Sequence, residues 1–368
     1  MAKTKKKRYS GIELLRIISM LLIVAAHLSQ RGNWSWNNDN EGYSLNWALM
    51  NWIICFGQVG VAIFFCITGY FSYSSKNYNW RRIFTVWRPA IFYSLAFLVL
   101  AIVLKMPDAE LSFPLNIRIM KSVFPVTMNA YWFVSSYIVL SILMPYLKGF
   151  LDSLDFKKIF KLILIMALVS IVPNMISYVF AGISTSIFSF PSAIFYAIVG
   201  YSINRFQDKI SRIGSVRLVV LSGIGFLLYL ACSLAIRFAS TRLNYSYLSN
   251  AILIDTMCLP CMISSVPLVV VFSRLKFVSK FINYVASLTF GVYLVHSNVY
   301  VVSYIWEQND FLRTFVASHF SFAHFLLYFS LTVFLVYGLS SVVEAVRKFI
   351  VSKTVSLTSK IRSVQDNI

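Results

Sequence analysis

The sequence reads Ile12-Glu-Leu-Leu-Arg-Ile-Ile-Ser-Met-Leu-Leu-Ile-Val-Ala-Ala-His27 near its start, and this stretch decides the fold class. Apart from Glu13, Arg16 and His27 it is almost entirely apolar, and the apolar character extends over residues 11–29, enough for one helix to cross a bilayer. A lysine-rich segment precedes the run, as in a signal peptide, but ionisable residues interrupt it and no small-x-small cleavage site follows. We therefore expect a retained membrane span.

The composition of the whole chain agrees with this interpretation. Of 368 residues, 58% are hydrophobic and 12% are charged, and the mean hydropathy is +0.73. Soluble domains carry about 25% charged residues. So few polar side chains cannot cover a water-facing globule. The formal net charge of +20 falls in short clusters between the apolar runs, which is typical of cytoplasmic loops near anionic lipid and argues against nucleic acid as a partner.

Repeated apolar runs predict an all-α, polytopic bundle of ten transmembrane helices, and the cations predict its orientation. With both termini inside, 25 of the 33 Lys and Arg residues fall on the cytoplasmic side and seven outside, while Arg16 lies within the first span. This bias follows the positive-inside rule. We predict a single transmembrane domain over residues 1–350 and a basic cytoplasmic tail over 351–368. The predicted spans are 11–29, 47–71, 86–104, 131–150, 159–180, 186–203, 218–238, 251–272, 283–305 and 322–345.

Ionisable residues within a span are costly, and each is a functional-site hypothesis by default. Glu13 and Arg16 are three residues apart, so their side chains can pair. Arg16 and His27 are close to three helical turns apart, so they share one face at about 16 Å along the axis. His296, on the ninth predicted span, reaches a depth similar to that of His27. Two histidines at one level predict a polar chamber; the plainer alternative is a topology-setting Glu–Arg pair and an unrelated histidine.

Two further groups of residues flank the predicted chamber. Near the cytoplasmic end of the second span, Gly69 permits close backbone approach and Thr68 supplies a hydroxyl. Guanidinium groups follow that match phosphate oxygens, although ordinary positive-inside charge is the better explanation when they are taken alone; these are Arg81, Arg82 and Arg88. At the outer end of the fourth span, Tyr131 and Trp132 form either an interfacial aromatic belt or a platform for sugar rings.

Together these residues resemble the acyltransferase family 3 membrane proteins. The first helix has the family's pattern of an acid, an arginine, ten residues and a histidine, and Thr68 stands where the second motif usually has serine. Arg81 and Arg82 are followed by Arg88-Pro89 instead of a tighter Arg-x-x-Arg before proline, which leaves open which arginine meets the donor. The stretches that carry the resemblance are Ile12–His27, Phe64–Phe71, Asn129–Val134 and Ser287–His296.

The resemblance implies an O-acyltransferase, with acetyl as the default group, in a bacterial cell membrane. It would use cytoplasmic acetyl-CoA and no metal, and would acylate a hydroxyl of an envelope polysaccharide or lipid-linked glycan. His27 would be the general base, Arg16 held by Glu13 would position the donor, and His296 or Tyr293 would orient the acceptor or stabilise the oxyanion. The implied donor site comprises Thr68, Gly69, Tyr70, Arg81, Arg82 and Arg88, and the implied acceptor site comprises Tyr131, Trp132 and Tyr293.

Two other classes of function remain open. A transporter or flippase would use intramembrane Glu, Arg and His to relay protons or bind substrate, but it predicts two related halves with paired broken helices, and the sequence contains no visible repeat. A membrane scaffold leaves the shared face of Arg16 and His27 unexplained. The sequence leaves open the acceptor, the acyl length, the oligomeric state, and the choice between direct attack and an acyl-histidine intermediate.

Overall fold

The computed structural model describes residues 8–34, 44–75, 81–105, 114–179, 189–243, 253–306 and 312–365, and these residues form helices and turns without a β-strand. The helices are α1 Gly11–Arg31, α2 Leu45–Ile53, α3 Phe56–Tyr73, α4 Arg81–Val103, α5 Leu115–Val123, α6 Trp132–Asp152, α7 Phe156–Val179, α8 Ser189–Arg205, α9 Gln207–Ile210, α10 Ser215–Leu243, α11 Leu259–Ser273, α12 Lys280–His296, α13 Val302–Trp306, α14 Thr314–Ala317 and α15 Phe322–Gln365.

Six helical segments of the described chain are long and apolar enough to cross a membrane, so the protein is an all-α, multi-pass membrane protein. They are Gly11–Arg31, Leu45–Tyr73, Arg81–Val103, Trp132–Asp152, Ser215–Ala239 and Phe322–Thr354. The other four predicted spans coincide with α7, which has 24 residues, and with α8, α11 and α12, which have 17, 15 and 17 residues. Ten crossings with both termini inside therefore stay a prediction.

Two of the predicted spans are several residues longer than the helices observed in their place. The span expected at 251–272 begins later, because residues 253–258 form turns and Pro260 sits in the first turn of α11. The span expected at 283–305 is interrupted after His296. There the Asn298 side chain accepts a hydrogen bond from the Tyr300 amide at 2.9 Å and donates to the Tyr131 hydroxyl at 2.5 Å. Such a side chain offers the backbone an alternative to helix continuation.

Close backbone contact between α3 and α8 forms the centre of the bundle. A Cβ atom built on Gly69 would lie 1.8 Å from the carbonyl oxygen of Ala197, and one on Gly200 would lie 1.8 Å from that of Cys66. Only glycine permits this approach on both sides. The helix α1 packs against the same α3, since a Cβ on Gly60 would lie 2.5 Å from a backbone oxygen of α1.

A buried ion pair joins α4, α12 and α15. Glu344 is only 2% exposed; it accepts two hydrogen bonds from Arg347 at 2.7 Å each and one from the Tyr93 hydroxyl at 2.8 Å. Lys348 donates to the Ser287 carbonyl on α12 at 2.6 Å. Buried charges are tolerated when they are paired and hydrogen-bonded in this way, so the cluster fixes α15 against the two neighbouring helices.

Candidate active site

A large cavity of about 1130 Å³ lies within the described part of the bundle. One face of each of α1, α3, α6 and α12 forms its walls, and the start of α4 and the segment after α11 complete the rim. On α1 the lining side chains recur at helical spacing, as expected for one stripe of a helix. They are Ile12, Glu13, Arg16, Met20, Ile23 and His27. The shared face of Arg16 and His27 predicted from the sequence is therefore a wall of this cavity.

His27 and His296 lie in direct contact at the far end of the cavity from the basic rim. The Nε2 atom of His296 is 3.1 Å from Nδ1 of His27, and the ring centroids are 5.1 Å apart. The Nδ1 atom of His296 is 2.6 Å from the Val292 carbonyl oxygen one turn earlier on α12. His27 lines the cavity, whereas His296 is completely buried behind it. The two histidines expected at one depth do form a pair.

Glu13 holds two arginines at the rim. Its carboxylate is 3.3 Å from Nη1 of Arg16, which confirms the predicted pair, and 2.7 Å from Nη2 of Arg8. Glu13 is 3% exposed, so its charge is compensated within the protein. The guanidinium of Arg16 also lies 5.5 Å from the centroid of the Phe71 ring, in the range of a cation–π contact. Arg16 is thus fixed about 16 Å along α1 from His27.

The structure brings together only part of the predicted donor site. Thr68 and Tyr70 line the cavity, as does Arg82. Gly69 points away from the cavity because it packs on Ala197 of α8, so its close approach serves helix packing. The exposed Arg81 and Arg88 are not among the lining residues. The Arg88 guanidinium instead lies 5.9 Å from the Phe84 ring centroid.

Only some of the predicted acceptor residues line the cavity. Trp132 and Tyr293 line the cavity, and Trp132 is 38% exposed. Tyr131 is 2% exposed and is a packing residue: its hydroxyl donates to the Leu294 carbonyl at 3.1 Å and accepts from Asn298. His296 is equally inaccessible, because it lies behind His27 and not on the cavity wall.

Several lining residues were missed by reasoning from the sequence. Lys148 and Lys276 had been counted only as cytoplasmic cations, yet both line the rim together with Arg8. Lys148 is 28% exposed and donates to the Tyr73 carbonyl at 2.7 Å. The stripe on α6 has a recognisable helical spacing, but spacing alone does not reveal which partner it faces. Its members are Phe133, Tyr137, Ser141, Met144, Lys148 and Asp152.

The ionisable groups of the cavity include an imidazole, the carboxylate paired with Arg16 and several cations at the rim. Within the ranges that the structure describes, no group of three or more His, Cys, Asp or Glu side chains is placed to hold a metal ion. The site instead offers an imidazole at one end of a long cavity and cations at the other. Imidazole is the commonest general base in enzymes, and guanidinium and ammonium groups bind phosphate oxygens.

Comparison with known protein families identifies the family of the chain. The family described as "Acyltransferase domain", acyltransferase family 3, matches residues 9–341, which contain every cavity-lining residue except Arg8. No curated protein and no solved structure matches the chain significantly. The resemblance found in the four sequence stretches is thus confirmed over most of the chain. This multi-pass membrane protein belongs to the acyltransferase family 3.

Proposed function

We propose that the protein is an O-acetyltransferase of a bacterial cell membrane. It would transfer acetyl from cytoplasmic acetyl-CoA to a hydroxyl of an envelope polysaccharide or lipid-linked glycan. The observation that carries this proposal is the cavity of about 1130 Å³ that joins a basic rim to His27. A donor with an anionic head and a long flexible arm fits such a cavity, because its reactive end must travel past Arg16 to reach the histidine.

The donor phosphates would bind at the rim, which the predicted topology places in the cytoplasm. Four cations of the rim come from segments far apart in the sequence: Arg8, Arg82, Lys148 and Lys276. The phosphates of acetyl-CoA would be bound by these side chains in place of the predicted Arg81 and Arg88. The pantetheine arm would then extend along α1, and Arg16, held by Glu13, would keep the donor aligned.

The reaction at His27 would be a general-base-catalysed acyl transfer. The imidazole takes the proton of the acceptor hydroxyl as that oxygen attacks the thioester carbonyl. The carbon–sulfur bond then breaks, and the CoA thiolate leaves with a proton returned by the imidazolium. The products are an acetyl ester of the glycan and CoA. Direct transfer in a ternary complex requires no covalent bond to the protein, so we favour it over an acyl-histidine intermediate.

The acceptor would approach His27 beside the aromatic residues of the cavity. The exposed ring of Trp132 and the ring of Tyr293 both line the cavity. Aromatic rings offer apolar faces against which the C–H face of a sugar can pack, and the Tyr hydroxyl provides a hydrogen-bond partner. Tyr131, which is buried by packing, has no part in this proposal.

The purified protein in lipid vesicles would test the proposal directly. Labelled acetyl-CoA is added with membrane glycan extract, and both free CoA and labelled glycan are measured. His27→Ala should reduce transfer at least about 100-fold, since a general base contributes 10²–10⁴ in rate, while the protein stays membrane-inserted. His324→Ala is the matched control, because His324 is exposed and outside the cavity.

Two results would contradict the proposal. The first is near-normal transfer by His27→Ala. The second is vesicle uptake of a glycan or small molecule by the wild-type protein without CoA release, which would favour a transporter. Comparison of cell-surface glycans from wild-type and deletion strains by NMR would then identify the acceptor position.

A further inference from the structure

We infer that His296 is a positioning residue that sets which nitrogen of His27 carries the proton. It accepts a hydrogen bond from Nδ1 of His27 and so leaves Nε2 of His27 as the unprotonated nitrogen available to the cavity. Only the expected effect on turnover rests on the proposed function. The hydrogen-bond arrangement itself is a property of the two rings.

The direction of the hydrogen bonds follows from the Val292 carbonyl. A carbonyl oxygen only accepts, so Nδ1 of His296, 2.6 Å away, must be the protonated nitrogen of that ring. In a neutral imidazole the other nitrogen is then an acceptor. The Nε2 atom of His296 lies 3.1 Å from Nδ1 of His27, so Nδ1 of His27 must be the donor. Its proton is therefore fixed on Nδ1, and Nε2 of His27 has the lone pair.

The neutral state of His296 follows from its surroundings. The side chain is 0% exposed, and within the described residues no acidic side chain forms an ion pair with either histidine. A buried imidazolium without a carboxylate partner would be costly. If both nitrogens of His296 were protonated, Nδ1 of His27 would have to accept, and the tautomer of His27 would be reversed. The neutral pair satisfies both ring contacts at lower cost, and the Ser297 hydroxyl, 3.5 Å from Nδ1 of His27, can accept as a second partner of that N–H group.

Two contacts hold His296 in place, one through its ring and one through its backbone carbonyl. The Nδ1 atom of its ring contacts the Val292 carbonyl oxygen within α12, and its own carbonyl oxygen accepts a hydrogen bond from Nε1 of Trp306 at 3.1 Å. The Trp306 ring is 1% exposed and meets the His296 ring edge-on, with centroids 6.2 Å apart. Because this ring is absent from the cavity wall, the earlier expectation that His296 contacts the acceptor is replaced by a role exerted through His27.

A general base needs its lone pair on the nitrogen that meets the substrate, so the tautomer matters for the rate. In histidines generally, the hydrogen bond made by one ring nitrogen decides the state of the other. When a partner that fixes the tautomer is altered in a serine protease, turnover falls by about 10⁴. A neutral imidazole is a weaker orienting partner than a carboxylate, so we expect a smaller effect here.

The tautomer can be measured without any activity assay. The chain has four histidines, so His319→Gln and His324→Gln leave only the pair to be observed by ¹⁵N NMR of ring-labelled protein. Protonated and unprotonated ring nitrogens have distinct shifts. We expect Nδ1 protonated and Nε2 unprotonated in both remaining rings. An Nε2-protonated His27 in the wild-type pair would overturn the inference, whatever the enzyme transfers.

Two substitutions of His296 test the kinetic consequence. His296→Gln places an amide oxygen where it can still accept from Nδ1 of His27, and it should keep turnover within about threefold. His296→Leu has similar bulk and no acceptor; turnover should fall about 10- to 100-fold, below the full contribution of a general base, with an unchanged KM for acetyl-CoA. Equal losses in both variants, or a loss confined to KM, would contradict a positioning role. If NMR shows the expected tautomers but the protein transfers no acyl group, the result counts against the proposed function alone.

Discussion

Substituting the glycines between α3 and α8 tests whether Gly69 serves packing or donor binding. In Gly69→Ala the new Cβ would lie 1.8 Å from the Ala197 carbonyl oxygen, whereas contacts under 3.0 Å are essentially never seen. The two helices must therefore separate by at least 1.2 Å at this point. Overpacking of a close-packed contact costs typically about 1–3 kcal/mol. We expect Gly69→Ala to lower the free energy of unfolding by about 2–3 kcal/mol.

Gly200→Ala is the decisive companion variant. Its Cβ would lie 1.8 Å from the Cys66 carbonyl oxygen on the opposite side of the same contact, and Gly200 has never been part of a proposed donor site. It should therefore destabilise the protein as much as Gly69→Ala does. Gly223→Ala is the control, because Gly223 lies on α10 with nothing within 4 Å of the new Cβ. It should be neutral or stabilising by up to about 1 kcal/mol.

Unfolding in detergent, followed by intrinsic fluorescence against a denaturing detergent, measures these differences. The KM for acetyl-CoA is measured on the same preparations. The packing account fails if Gly69→Ala raises that KM at an unchanged unfolding midpoint while Gly200→Ala behaves like the wild type. Such a pattern would return Gly69 to the donor site suggested by the sequence.

Three further predictions concern charged residues. Glu13→Gln removes the carboxylate that orders two arginines at the rim, so the KM for acetyl-CoA should rise about tenfold, as expected for one charge-assisted contact of about 1.4 kcal/mol; an unchanged KM would make the pair purely structural. Arg82→Ala should raise that KM whereas Arg88→Ala should not, because only Arg82 lines the cavity; equal effects in steady-state kinetics would contradict the assignment. Glu344→Gln leaves the partly buried Arg347, whose side chain is 13% exposed, without its carboxylate and should cost about 3 kcal/mol in unfolding experiments, and Arg347→Met in the same chain should restore much of this loss.

Much of the fold could be predicted from local properties of the sequence. Apolar runs with few charges identify long helices, and the three-residue spacing of Glu13 and Arg16 predicts their pair, since a helix brings such positions together. The lengths of α11 and α12 could not be predicted in this way. The length of α11 depends on the turns before Leu259. The length of α12 depends on the Asn298 side chain, which accepts from the Tyr300 amide while its own NH₂ group donates to the Tyr131 hydroxyl.

The candidate site could be predicted only where one helix supplies the residues. The stripe from Arg16 to His27 lies on a single helix, so periodicity reveals it. The role of Gly69 could not be predicted, because a glycine needed for a close approach looks the same whether a ligand or a second helix approaches; in the structure the neighbour is α8. Lys148 and Lys276 were missed as rim residues because only the tertiary fold brings α6 and the segment after α11 to the same cavity.

The hydrogen bond from Trp306 to the backbone of His296 connects the histidine end of the cavity to the segment after α12. A protein or antibody fragment that displaced α13 would shift the C-terminal residue of α12 and, with it, the ring against which His27 is oriented. Inhibition would then arise without any contact with acetyl-CoA or the acceptor, and it would appear as a loss of turnover at unchanged substrate affinity.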